Sequence, residues 1–148
     1  MPDARQLARL TELACERRDR AAKKLGRSIA LLRDSESRVE LLQRYRDDYG
    51  TRLARSAAGG LSADELRNFR EFIARLEEGI AQQRSEVLVL RRSVEECRTG
   101  WLAERRRQHS FELLSERADL GARELEARRL QKLVDEFAGR MPSMYAVG

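Results

Sequence analysis

The 148-residue sequence predicts an all-α fold: two long helices forming an antiparallel coiled-coil hairpin, the second longer and overhanging. Three observations carry this reading. The first is a sustained heptad repeat from Ser62 to about Ala118. One row holds Leu66, Ile73, Ile80, Val87, Val94 and Trp101, and the row offset by three holds Phe69, Leu76, Gln83, Leu90 and Cys97, with Phe111 further on. Spacings of 3 and 4 kept up for about five heptads hold one seam toward a partner helix. The second is composition. Charged residues make up 37% and aromatics 5%, and the two prolines, Pro2 and Pro142, stand at the ends, so nothing punctuates a compact α/β fold and no run alternates like a strand. The third is a single break, Ala57-Ala58-Gly59-Gly60, followed by an S-x-x-E capping box, Ser62 to Glu65, with Leu61 and Leu66 placed as a hydrophobic staple.

Taken in order, helix 1 is expected over about 3–56. Pro2-Asp3 suits its entrance, because proline tolerates the first turn and an early carboxylate complements the helix dipole. Its stripe is Leu7, Leu10, Ala14, Ala21, Leu25, Ile29, Leu32, Val39, Leu42, Tyr49 and Leu53. It is the weaker stripe, since Arg18, Ser28, Ser35 and Glu36 fall on or near the seam and Gly26 lies inside. The turn is expected at about 57–61, helix 2 at about 62–140, and a loose tail at 141–148 after Gly139 and Pro142.

If Gly59-Gly60 is the centre of the turn, facing residues have numbers that sum to about 118. Leu53 then meets Leu66, Tyr49 meets Phe69, Leu42 meets Leu76, Ile29 meets Leu90 and Leu10 meets Gln108, while Cys97 faces about position 21. Apolar meets apolar over nearly the whole length, as an αα-hairpin requires. Beyond about residue 117 helix 2 has no partner, an overhang of roughly 35 Å at 1.5 Å per residue. Leu114, Leu125, Leu130, Leu133, Val134 and Phe137 keep it amphipathic, so it should fray or lie against another molecule.

Catalytic chemistry is not expected, and neither is a cofactor. Gly59-Gly60 lacks the lysine and preceding strand of a phosphate loop. His109 is the sole histidine, with no cysteine or histidine neighbour to share a metal and no pocket to exclude water. Glu77-Glu78 and Glu95-Glu96 are adjacent on a helix and point apart, as solvated residues do. Cys15 and Cys97 are expected to be reduced thiols, with no disulfide between them. MPDARQLARL has no apolar signal-peptide core and no stretch of 18 apolar residues occurs, so the expected location is cytoplasmic.

Two features point to binding. Near the turn, Tyr45 and Phe72 add apolar bulk that a two-stranded seam does not require, and Leu42, Tyr45, Tyr49, Phe72 and Leu76 converge within about three turns. Exposed aromatics there suggest a docking surface; the plainer reading is that they pack across and along the hairpin. Gly79, one heptad after Phe72, either permits close approach or is a tolerated glycine. The second feature is charge. The net +5 lies entirely within residues 1–60, which carry 14 basic against 9 acidic residues. Segments 17–27 and 91–107, neighbours in the 118 register, together hold 12 basic and 4 acidic residues, including Arg17, Arg18, Arg105, Arg106 and Arg107. Such a collar suits an acidic protein surface or, as an alternative, nucleic-acid phosphates, and it also fits a simple solvated face. Trp101 closes the apolar row opposite Arg17 and Arg18, where a guanidinium can cover its ring.

The chain resembles the FliJ family of the bacterial flagellar type III export apparatus. The resemblance rests on overall length, the Leu7–Leu10 start, the segment Gly59-Gly60-Leu61-Ser62-Ala63-Asp64-Glu65-Leu66, the Phe69/Phe72/Ile73/Leu76 run, and Trp101-Leu102-Ala103 leading into Arg105-Arg106-Arg107. It implies an antiparallel coiled coil like the two long helices of the rotary ATPase γ subunit. It also implies a non-catalytic stalk that inserts a helical end into an export ATPase ring (FliI-like), contacts a membrane-embedded export gate (FlhA-like) and escorts export chaperones. Membrane association would then be peripheral, through partners. Carried onto this chain, the gate-binding surface falls on Leu42, Tyr45, Tyr49, Phe72, Leu76 and Gly79, with Gln83 beside them. The ATPase-ring or acidic-partner surface falls on Arg17, Arg18, Arg105, Arg106, Arg107, Leu125, Leu133 and Phe137. An injectisome stalk of the same architecture is the near alternative; a nucleic-acid binder or a self-associating structural rod is the alternative of a different class.

Overall fold

The computed structural model describes residues 3–140. Pro2, Pro142 and the tail expected over 141–148 lie outside the described residues. Two helices make up the architecture, α1 at Ala4–Ala58 and α2 at Ala63–Arg140, with no strand among the described residues. They pack against each other as an antiparallel coiled-coil hairpin.

Each helix starts on a side-chain cap. Asp3 Oδ1 accepts from the Gln6 N–H at 2.8 Å while Gln6 Oε1 accepts from the Asp3 N–H at 3.0 Å, a reciprocal box that satisfies two of the donors a helix start leaves open. At α2 the Glu65 N–H donates to Ser62 Oγ at 3.2 Å. Between the helices, Gly59 N–H reaches back to the carbonyls of Arg55 and Ser56 and Gly60 N–H to that of Ala57. Gly60 takes a φ of +90°, a conformation that residues with a Cβ rarely adopt, and this ends α1 and turns the chain.

The link is thus Gly59–Ser62, centred between Gly60 and Leu61 rather than between Gly59 and Gly60. That moves the register. Tyr49 stacks on Phe72, not Phe69, and Leu42 Cδ1 lies where a Cβ on Gly79 would meet it at 3.8 Å. Both pairs have numbers that sum to 121. Cys97 meets Ser28, with Sγ and Oγ 3.3 Å apart, instead of a residue near position 21. Gln108 accepts from Arg18 at 2.8 Å instead of facing Leu10.

Burial follows the 3–4 alternation on both helices, from Leu7 to Ser56 on α1 and from Leu66 to Ser115 on α2. The contacts divide the chain into two units. The turn unit, Asp19–Leu102, contains the inner residues Ile80, Val87 and Val94. It also buries two hydroxyls, Ser28 and Ser35, the latter only 2% exposed. Ser35 donates to Gln83 Oε1 at 3.3 Å, so each buried polar group in this pair finds a partner inside the seam. The terminal unit, Met1–Arg18 with Ala103–Gly148, buries Leu7 and Ala14. Its seam is largely polar: Thr11, Arg18, Glu104, Gln108 and Ser115 hold positions that the turn unit mostly gives to aliphatic or aromatic side chains. Past Ser115, α2 continues to Arg140 with every residue exposed except the half-buried Gly121.

Candidate functional site

In a coiled coil the seam positions a and d are flanked by e beside a and by g beside d. With Val39 and Ile80 at a, the residues Leu42, Tyr49, Leu76 and Gln83 occupy d, while Tyr45, Phe72 and Gly79 occupy g. All seven residues expected at the turn-end surface therefore share one edge of the turn unit. The observed pairings agree with this division, because Tyr49 meets Phe72 and Leu42 meets Gly79 as d against g. Glu36 and Arg91 meet on the other edge as e against e, at 3.7 Å.

The d/g edge has a supported floor and an open rim. Leu42, Tyr49, Leu76 and Gln83 are half-buried; Tyr45 is 48% exposed and Phe72 39%. Phe72 is held by the Tyr49 ring, with centroids 4.4 Å apart and planes tilted by 47°, an arrangement aromatic pairs favour. The Arg52 guanidinium lies 5.3 Å from the Tyr49 ring centroid. Arg52 is another g residue, and the sequence reading missed it because its stacking depends on the ring having turned toward Phe72. Gln83 is fixed by Ser35, so its amide closes the surface at a set orientation. Gly79 has room: a Cβ there would make ordinary contact with Leu42, so packing within the chain does not demand glycine. Tyr49 and Phe72 pack across the hairpin, as the plainer reading has it, while Tyr45 and the outer part of Phe72 stay exposed.

The a/e edge differs in kind. A shallow groove there is lined by Glu36, Val39, Glu40, Arg84, Val87, Leu88 and Arg91, so carboxylates and guanidinium groups alternate over a small apolar floor. Arg98 is engaged by Glu95 at 2.6 Å. No aromatic residue stands among them.

The second expected surface belongs to the terminal unit. Arg17, Arg106 and Arg107 are exposed. Arg18 is not part of an open collar: it sits at a seam position and donates to Gln108, whose amide nitrogen donates in turn to Glu112 at 2.7 Å. Glu104 Oε2 is buried beside this stretch with no hydrogen-bond partner among the described residues. Leu125, Leu133 and Phe137 lie on the unpaired run of α2, 67%, 53% and 63% exposed. Leu120, which the sequence reading passed over, is exposed there too, and Leu113 is exposed just before the run begins. No group of three or more histidine, cysteine or carboxylate side chains converges as a metal site among the described residues. No helix among them is long and apolar enough to cross a membrane.

Comparison with known proteins finds relatives along nearly the whole chain. Residues 3–144 match the family model described as flagellar FliJ protein. The flagellar FliJ protein of Escherichia coli (strain K12) is 29% identical over 134 residues, covering 90% of this chain and 91% of the relative. That of Salmonella typhi is 28% identical over the same shares. A match over nearly the whole length, in a chain with this hairpin, places it: the protein belongs to the flagellar FliJ family.

Proposed function

We propose that this chain, a FliJ-family component of the flagellar export apparatus, works as a non-catalytic stalk that docks on an export gate and engages an export ATPase. The observation that carries the reading is the d/g edge beside the turn, where Tyr45 and Phe72 stand exposed on a floor of Leu42, Tyr49 and Leu76. An aromatic side chain held by a neighbour, as Phe72 is by Tyr49, binds with little further loss of rotamer freedom, which suits a protein-docking surface. Docking on the cytoplasmic domain of an FlhA-like gate is assigned to this edge, including Gly79 and Gln83. The unpaired run of α2, with Leu125, Leu133 and Phe137 exposed, is assigned to a FliI-like ATPase ring, with Arg17, Arg105, Arg106 and Arg107 on the same unit. Export chaperones are further partners. The protein would act at the inner face of the cell membrane through these partners rather than by spanning it. The flagellar system is favoured over an injectisome because both relatives found are flagellar proteins.

The decisive experiment for the gate surface is capture of the gate's cytoplasmic domain by wild type and by a Tyr45→Ala/Phe72→Ala variant of unchanged helicity. Loss of capture is expected, and equal capture would refute the assignment. For the ATPase surface, truncation after residue 117 should abolish stimulation of the partner ATPase. Full stimulation by the truncated chain would remove that assignment and leave the gate reading standing.

A further inference from the structure

The terminal unit and the turn unit close their seams with different chemistry. Over Ala21–Ser56 and Leu66–Trp101 the turn unit has 22 seam positions, and large apolar side chains fill 15 of them. In the terminal unit the α1 positions are Leu7, Thr11, Ala14 and Arg18, and those of α2 are Glu104, Gln108, Phe111 and Ser115. Large apolar residues fill 2 of these 8. Leucine is not scarce here, but it is out of the seam: Leu10, Leu13, Leu113 and Leu114 are all more than a third exposed. Thr11 turns its hydroxyl back on the Leu7 carbonyl at 2.8 Å and so gives nothing to α2. A polar stretch crosses the seam from Arg18 to Gln108 and runs on to Glu112 at the surface, and Glu104 Oε2 is left without a hydrogen bond among the described residues. Meanwhile the Asp3–Gln6 box keeps the start of α1 helical by local bonds alone.

A segment with sound helix capping but little apolar burial is the kind that opens locally below the free energy of global unfolding. We propose that Ala4–Arg18 is such a segment: it comes away from α2 in the native state, its freed helix then frays because so short a helix is marginal alone, and it bares Leu7, Ala14 and Phe111 without unfolding of the turn unit. This conformational device does not depend on the identity of any partner, so it stands or falls separately from the stalk function.

The two native thiols report it, one in each unit. Cys15 is half-buried beside the seam of the terminal unit, and Cys97 is half-buried in the seam of the turn unit against Ser28. In the Cys97→Ala protein, Cys15 is expected to react with an excess of an aromatic disulfide reagent at least about 100-fold faster than Cys97 does in the Cys15→Ala protein. Replacing the polar stretch with Arg18→Leu/Glu104→Leu/Gln108→Leu should slow Cys15 about 10-fold, the sign that opening and not standing exposure limits the rate, and leave Cys97 unchanged. Equal rates for the two thiols, or a Cys15 rate that ignores the leucine substitutions, overturn the proposal. Should the leucine variant misassemble, hydrogen exchange on the wild type decides. The proposal requires weaker protection of the Leu7–Arg18 amides than of Val39–Tyr49, and uniform protection along α1 refutes it.

Discussion

Two regions of this chain expose apolar side chains, and they do so for different reasons. On the d/g edge of the turn unit, Tyr45 and Phe72 rise from a seam that continues beneath them through Leu42, Tyr49 and Leu76. On α2 beyond Ser115, Leu125, Leu133 and Phe137 have nothing beneath them but their own helix. The first surface is shaped by the fold before any partner arrives, so its cost of ordering is already met by folding. The second is shaped only along one helix, and gains definition when something covers it. A substitution in the first region should therefore register in stability as well as in binding, whereas one in the second should register in binding alone.

The largest effect is expected where the seam itself is cut. Ile80 is 2% exposed and sits next to the d/g floor, so Ile80→Ala should lower stability by about 2–4 kcal/mol, read by chemical denaturation followed by circular dichroism. Removal of the rim comes next. The Tyr45→Ala/Phe72→Ala variant loses partly exposed surface and the Tyr49–Phe72 ring pair, for an expected cost of about 1–2 kcal/mol with helicity kept. Loss of gate binding at that modest cost would separate docking from folding. A cost as large as that of Ile80→Ala would instead make Phe72 a core residue and narrow the docking surface to Tyr45.

Gly79→Ala sharpens the same comparison with an opposite sign. The added Cβ makes ordinary contact with Leu42 at 3.8 Å, and alanine is favoured over glycine inside a helix by about 1 kcal/mol, so a gain of roughly that size is expected. Reduced gate binding by this more stable variant would show that the glycine serves the partner's approach. A loss of stability would show that Leu42 has no room to adjust.

How much of this was legible beforehand follows from what fixes each feature. The seam was readable because apolar side chains at 3 and 4 spacing must share a face, and the composition left no competing fold. The register depends on which residue turns the chain: with φ of +90° at Gly60, α1 runs to Ala58, and the pairs sum to 118 at Ser35–Gln83, 121 at Tyr49–Phe72 and Leu42–Gly79, and 125 at Ser28–Cys97 instead of to a constant 118. The edge carrying Tyr45, Phe72 and Gly79 was visible as a cluster, but its division from the charged e edge required the pairings. Arg18 reads both as a residue on or near the seam and as one of a run of arginines, and its hydrogen bond to Gln108 is what shows it engaged within the hairpin. The Asp3–Gln6 box went unnoticed because Asp3 was read as a first-turn charge rather than as the cap.

The smallest expected effect on stability tests the other half of the comparison. Substituting Leu125→Ser/Leu133→Ser/Phe137→Ser removes three side chains that are each more than half exposed, so no buried apolar contact is lost and no cavity forms. Surface changes of this kind usually stay within about 0.5 kcal/mol, and the denaturation midpoint should not move measurably. Serine is a poorer helix former than leucine, so any small loss should appear as fraying beyond Gly121 and leave the turn unit untouched. Stimulation of the partner ATPase should nevertheless disappear, because the apolar run is the one part of the segment that a ring could desolvate. A clear drop in the midpoint would mean that the run is covered in solution, by a second copy of the chain, and its size should then depend on protein concentration. Midpoint and stimulation both unchanged would leave the exposed run without a role in the ring, and the arginines of the terminal unit would have to carry the contact by charge, which rising salt should then abolish.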